Sequence, residues 1–136
     1  MAKIETVEGI GVKHGKALRK AGVATTGALL RTGGAKKGRK TLAEASGCSE
    51  VQILEWVNRV DLMRVRGVGE EYSDLLEQSG VDTVKELRRR KPANFHAAML
   101  ETNGARRRPL VRRPPSLAEV ERWVAHANEL DPMVSH

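Results

Sequence analysis

Apolar residues recur every three or four positions along most of this chain, and short breaks marked by glycine or proline separate the runs. The pattern predicts a helix over 13–21, with Ala17, Leu18 and Ala21 on one face and Gly22 as its stop. Thr25 is placed to cap a short helix over 26–31, which Thr32-Gly33-Gly34 then breaks. A helix, a turn at Gly47 and a second helix follow, with Ser49 and Gln52 spaced as a capping box and Trp56, Val60, Leu62 and Met63 turned inward. This helix ends at Leu62 or Met63. Asp82 and Thr83 can cap a helix over 84–89. Pro92 opens another, with Phe95, Met99 and Leu100 on one face and a break at Asn103-Gly104. Ser116 and Glu119 form a capping box before a last helix, whose inner stripe is Leu117, Val120, Val124 and Ala127 with Trp123 beside it. Residues 131–136 read as a frayed end.

Two of these stretches are copies. Residues 7–31 align without a gap on 65–89, an offset of 58, and Val7/Val65, Gly9/Gly67, Gly11/Gly69, Leu18/Leu76, Gly22/Gly80, Val23/Val81, Thr25/Thr83, Leu29/Leu87 and Arg31/Arg89 are identical. Shared glycines and core aliphatics at fixed spacing are what repeated architecture requires. Each copy opens on an apolar-x-Gly-apolar-Gly run just before a helical pattern. Glycine can take the positive φ of a tight turn. A turn that opens a helix points free N–H groups outward, where they can hold an anion such as phosphate. The same run also serves as a compact corner between helices.

This arrangement resembles the helix-hairpin-helix motif, whose Gly-apolar-Gly turn contacts nucleic-acid phosphates through backbone amides without reading sequence. Over nearly its whole length the chain is also similar to the bacterial family known as domain of unknown function 4332. The run from Ile53 to Arg64 leading into Val65-Arg66-Gly67-Val68-Gly69-Glu70 is the most family-like part. The resemblance implies paired hairpins and no established activity. The expected phosphate-binding residues are Gly9, Ile10, Gly11, Val12, Lys13 and Lys16 in the first copy, and Gly67, Val68 and Gly69 in the second. The second copy departs from the pattern: Glu70 and Glu71 stand where the first has Val12 and Lys13. Carboxylates suit a helix start but compete with phosphate for its amides, so the first hairpin is the better candidate.

Composition adds an anionic partner to this picture. The chain has 136 residues, a formal charge of +7 and only 3% aromatic residues, so aliphatic side chains must build the core and packed helices are favoured. The charge is uneven: +8 over 1–40, −5 over 41–80 and +4 over 81–136. A basic field is therefore expected from Lys36, Lys37, Arg39 and Lys40, from Arg88, Arg89, Arg90 and Lys91, and from Arg106, Arg107, Arg108, Arg112 and Arg113. The last five lie among prolines in an extended arm, with Leu110 and Val111 pinning its middle. Solvated helix ends and connections would account for the same runs.

No catalytic constellation emerges. The four histidines are scattered, and the single Cys48 has no activating partner near it in sequence, so neither a metal site nor a disulfide framework is expected. No phosphate-binding glycine loop of the nucleotide-binding kinds is present. Ala43, Gly47, Ile53 and Trp56 are spaced as in a helix-turn-helix. Its second helix, however, would offer Glu50, Gln52 and Glu55 to DNA, so a structural helix pair is expected instead. With no long apolar run and no leader-like start, a cytoplasmic protein is expected.

The reading is thus an all-α single domain over 1–136. Repeat one spans 7–31, a connecting helical pair 38–63, repeat two 65–89, and the C-terminal helices with the Arg/Pro arm 92–136. The expected function is non-catalytic binding of nucleic acid, DNA ahead of RNA, without cofactor, metal or membrane. The alternative is a protein-interaction or scaffold module that uses the repeats as packing units.

Overall fold

The structure, a computed structural model, describes residues 2–136. Among them the secondary structure is all-α: a 3₁₀ turn at Ile4–Thr6, then α1 (Gly11–Lys20), α2 (Thr26–Gly33), α3 (Lys36–Ser46), α4 (Glu50–Leu62), α5 (Glu70–Gln78), α6 (Val84–Leu87), α7 (Pro92–Gly104) and α8 (Leu117–Glu129). The chain divides into two compact units. One comprises the described chain up to Asp61 together with Pro132–His136; the other is Leu62–Asp131. Each has its own core.

In the first unit, Ile4, Val7, Ile10, Leu18, Val23 and Leu29 from the N-terminal elements pack with Leu42, Ile53, Trp56, Val57 and Val60 from α3 and α4. In the second, Val65, Val68, Leu75, Leu76, Val81, Val84 and Leu87 pack with Phe95, Met99, Val120, Trp123, Val124 and Ala127. Burying each of the Val, Leu, Ile, Met or Phe side chains contributes roughly 1.5–3 kcal/mol. The helical pair expected to connect two hairpins thus supplies a large part of the first core, because Ile53, Trp56, Val57 and Val60 share one face of α4.

Local hydrogen bonding runs in parallel in the two units. Gly22 (φ 90) and Gly80 (φ 101) end α1 and α5 in the left-handed conformation. The following amides of Val23 and Val81 donate back to Leu18 O and Leu76 O, each at 2.9 Å. Thr25 Oγ1 and Thr83 Oγ1 then accept from the amides of Ala28 (3.1 Å) and Glu86 (3.3 Å), capping α2 and α6. The capping boxes at Ser49/Gln52 and Ser116/Glu119 both form.

Several expectations need correction. Residues 132–136 are docked rather than frayed: Val134 is buried in the first core, and the Ser135 amide donates to Gly34 O at 2.8 Å. Leu100 lies outside the buried face of α7, at 41% exposure; that face is Phe95, Met99 and Asn103, four residues apart each time. The helix ends at Gly104, as the Asn103-Gly104 pair predicts, and the inward-turned Asn103 side chain holds both backbone groups of Val111 (3.1 and 3.2 Å). Leu117, the first residue of α8, is 40% exposed and leaves the inner stripe. Finally, α6 stops at Leu87, where turns from Arg89 N to Glu86 O and Arg90 N to Leu87 O tighten the chain.

Candidate functional site

The first glycine turn is held by Val7 N donating to Ile4 O and Ile10 N to Val7 O, both at 3.2 Å. Ile10 is buried as its plug, whereas Gly9, Gly11, Val12, Lys13 and Lys16 are exposed. Gly9 (φ 92) and Gly11 (φ 62) both adopt the left-handed conformation, which a side chain would strain. Gly11 opens α1, and no side chain caps that helix start. The first amides of a helix have no partner within it, and the exposed Lys13 and Lys16 lie in the first two turns of α1. The Glu5 carboxylate is ion-paired: it accepts from Arg19 Nε and Nη2 at 2.8 and 2.7 Å, which with its own backbone amide lowers its pKa to about 2.

The second turn repeats the plug, with Val68 buried and Gly67 and Gly69 exposed. Val65 N donates to Leu62 O at 3.1 Å and Val68 N to Val65 O at 3.0 Å. Only Gly67 (φ 89) is left-handed here; Gly69 has φ −96 and ψ −166, an extended conformation open to other residues. The exposed Glu71 and the half-buried Glu70 lie in the first turn of α5.

A tryptophan backs each turn. A Cβ built on Gly9 would sit 3.5 Å from Trp56 Nε1, and one on Gly67 would sit 3.1 Å from Trp123 Nε1. His14 lies against Trp56 with ring centroids 5.2 Å apart, and Tyr72 against Trp123 at 5.1 Å, both pairs tilted by 54°. His14 and Tyr72 are 58 residues apart, the same offset as the glycines. The two tryptophans are 67 apart, as are the caps Ser49 and Ser116 and the neighbours Val57 and Val124. This second gapless register, 49–61 on 116–128, was legible as Ser-x6-Trp-Val in both segments. The longer arm before Ser116 shifts it nine residues from the first register and conceals it from a search at one fixed offset.

The basic runs differ in how they are committed. Lys36, Lys37 and Lys40 are exposed on α3. Arg39 does not join them: it is 4% exposed, and its guanidinium donates to Gly33 O (3.0 Å), Gly34 O (2.9 Å) and Ser135 O (2.6 Å). Arg39 is the fourth residue of α3, an inward position on a helix that must cover the α2 corner, so its charge is spent on carbonyls. Arg88 is half-buried, while Arg89, Arg90 and Lys91 are exposed, with Arg90 donating to Gly80 O at 3.0 Å and lying over the Phe95 ring. On the arm, Arg107, Arg108 and Arg112 are exposed, Arg106 reaches Gln78 Oε1 at 3.2 Å, and Arg113 makes a two-pronged pair with Glu119 at 2.8 and 3.0 Å. The arm is anchored at Val111, at Arg113 O by the Tyr72 hydroxyl (2.8 Å) and at Pro115 O by His96 Nε2 (2.8 Å).

One contact was invisible in the sequence. Cys48 Sγ lies 3.7 Å from His14 Nδ1, 34 residues away along the chain, and the thiol is buried. Among the described residues no group of three or more potential metal ligands occurs, and no helix is long and apolar enough to cross a membrane.

The family model described as Domain of unknown function (DUF4332) matches residues 8–130. The chain belongs to that family. No curated protein and no solved structure matches it. The DUF4332 match covers the glycines of both turns, both tryptophans and the arginine arm.

Proposed function

We propose that this DUF4332 chain carries two helix-hairpin-helix repeats and acts as a non-catalytic module that binds nucleic acid through phosphates, with little sequence preference. The observation that carries the reading is the opening of α1. There two left-handed, exposed glycines leave an uncapped helix start beside exposed Lys13 and Lys16. Backbone amides at a helix start favour an oxyanion, and the two lysines add counterion release. Lys36, Lys37, Lys40, Arg89, Lys91, Arg107, Arg108 and Arg112 contribute an exposed positive field. DNA is the preferred ligand and the cytoplasm the preferred compartment. Titration of duplex DNA at several salt concentrations tests the proposal. With about 4–6 phosphates contacted, log K should fall with log salt at roughly −0.9 per phosphate. Absence of binding at low salt would falsify it.

The uncapped but acidic start of α5, with Glu70 and Glu71, favours a second reading. In it the units are packing modules, and the basic runs meet an acidic protein partner. Capture of a partner that survives nuclease treatment, and that a Gly11→Asp variant retains, would select it.

A further inference from the structure

The second unit contains a cleft of about 450 Å³ between its glycine turn and α8, lined by Arg66, Gly67, Arg122, Ala125, His126 and Glu129. We infer that this cleft is a binding site for a phosphate monoester carried on a hydroxylated, sugar-like group, a site distinct from the helix-start amides invoked above and independent of that reading.

Three observations support it. First, Arg66 and Arg122 are both exposed, and neither guanidinium has a hydrogen-bond or ion-pair partner among the described residues. Two uncommitted guanidiniums in one concavity match the geometry of phosphate oxygens, which they can grip in forked pairs. Second, His126 Nδ1 accepts the Arg66 backbone N–H at 2.9 Å. With Nδ1 accepting, a ring proton sits on Nε2, which adds a donor to the cleft lining. Glu129, with no partner among the described residues, offers an acceptor for a ligand hydroxyl. The volume lies within the range of sites for small molecules.

Third, the other unit serves as an internal control. Position by position, Glu8 stands where Arg66 does and Glu55 where Arg122 does, at the offsets of 58 and 67. Arg59 occupies the place of His126, and its Nη1 pairs with Glu8 Oε2 at 3.3 Å. The same scaffold therefore carries carboxylates and an ion pair in one unit, and open guanidiniums in the other. Packing alone does not require that exchange, because Glu8, Glu55, Arg66 and Arg122 are all exposed.

The phosphate ester could be a free sugar phosphate or the 5′-phosphate end of a strand. Amide NMR titrations of the whole chain separate these sources, with the Arg66 and His126 signals as reporters. Ribose 5-phosphate should give saturable shifts there while ribose gives none, which assigns the free ester. If only a 5′-phosphorylated oligonucleotide acts, and its 5′-hydroxyl counterpart does not, the strand end is the ligand and the site stands. In either case Arg122→Glu and Arg66→Glu, both surface changes, should weaken binding by about tenfold or more, while Lys13→Glu leaves the ribose 5-phosphate titration unchanged. Equal responses to phosphorylated and unphosphorylated probes, or a wild-type titration in Arg122→Glu, would overturn the inference. Loss of duplex binding in Lys13→Glu with an intact ribose 5-phosphate titration separates the two proposals.

Discussion

The two units share their hydrogen bonds and exchange their charges. In the first, a carboxylate (Glu8) flanks the glycine turn and ammonium groups (Lys13, Lys16) follow it; in the second, a guanidinium (Arg66) flanks the turn and carboxylates (Glu70, Glu71, Asp74) follow. The scaffold beneath is the same: a buried aliphatic plug, a left-handed glycine over an indole, a threonine cap and a serine capping box. Surface charge is thermodynamically cheap to alter, whereas a turn that must clear a tryptophan is not. The comparison teaches that the scaffold fixes where a ligand can approach. On the two proposals above, the charge pattern decides which side of the turn would receive an anion.

The largest test concerns the buried position four residues into the third helix of each unit. Phe95 fills it in one and Arg39 in the other, at 3% and 4% exposure. Arg39→Ala should cost about 3 kcal/mol, since it leaves the carbonyls of Gly33, Gly34 and Ser135 without their donor. Phe95→Ala should cost 3–5 kcal/mol or so through the cavity alone. Urea denaturation measures both, and an Arg39→Ala value near zero would mean that the guanidinium is no part of the first core.

A finer break lies at the turns themselves. Gly67→Ala adds a methyl 3.1 Å from Trp123 Nε1, while Gly9→Ala meets Trp56 Nε1 at 3.5 Å. Both place alanine at positive φ, costing roughly 1–2 kcal/mol. Gly67→Ala should be the more damaging of the two, and calorimetry that ranks them the other way would remove the indole from the explanation.

Binding sharpens the contrast next. Lys13→Ala with Lys16→Ala should weaken duplex DNA and reduce the salt slope by about 2, one per lost phosphate contact. Replacing Glu70 and Glu71 by lysine should strengthen binding, if the second helix start is silent only because of its acids. Fluorescence anisotropy at three salt concentrations decides.

The smallest effect is electrostatic. The Arg113 guanidinium and the Ser116 amide hold the Glu119 pKa at about 2, below its ordinary 4.5. A depressed carboxylate stabilises the fold fully above its unfolded value and loses that contribution as pH falls through its folded one. The capping-box stability, about 1 kcal/mol, should therefore drain away between pH 4.5 and 2. Glu119→Gln should flatten that part of the stability–pH curve. The first unit's box uses Gln52 and should show no such dependence. A parallel loss in Glu119→Gln would assign the acid sensitivity to other carboxylates, Glu5 foremost, whose pKa Arg19 also holds near about 2.

Much of the architecture was legible because helices advertise themselves locally. Ser49, Ser116, Thr25 and Thr83 cap where their spacing to the next apolar run says they should, and Gly22 and Gly80 stop α1 and α5. The misses share a cause. Leu100 and Leu117 satisfy a rough three-to-four spacing, but one residue of rotation, about 100° on a helix, carries a side chain from core to solvent. The docked tail was unreadable because the partner of Ser135 is Gly34, and that of Arg39 is Ser135, 96 residues away. Val134 alone is too little apolar surface to signal burial.

By itself, the order of residues determined the helices, their caps and the two glycine turns, since each depends on neighbours within a few positions. It also determined the net positive charge. Which arginine faces inward, which histidine meets Cys48 and which guanidiniums open onto one cleft were decided by tertiary structure alone. Those outcomes depend on contacts between residues 5 to 96 apart, and on how a helix is rotated about its axis. Local pattern constrains neither strongly enough to say where a single charge will end.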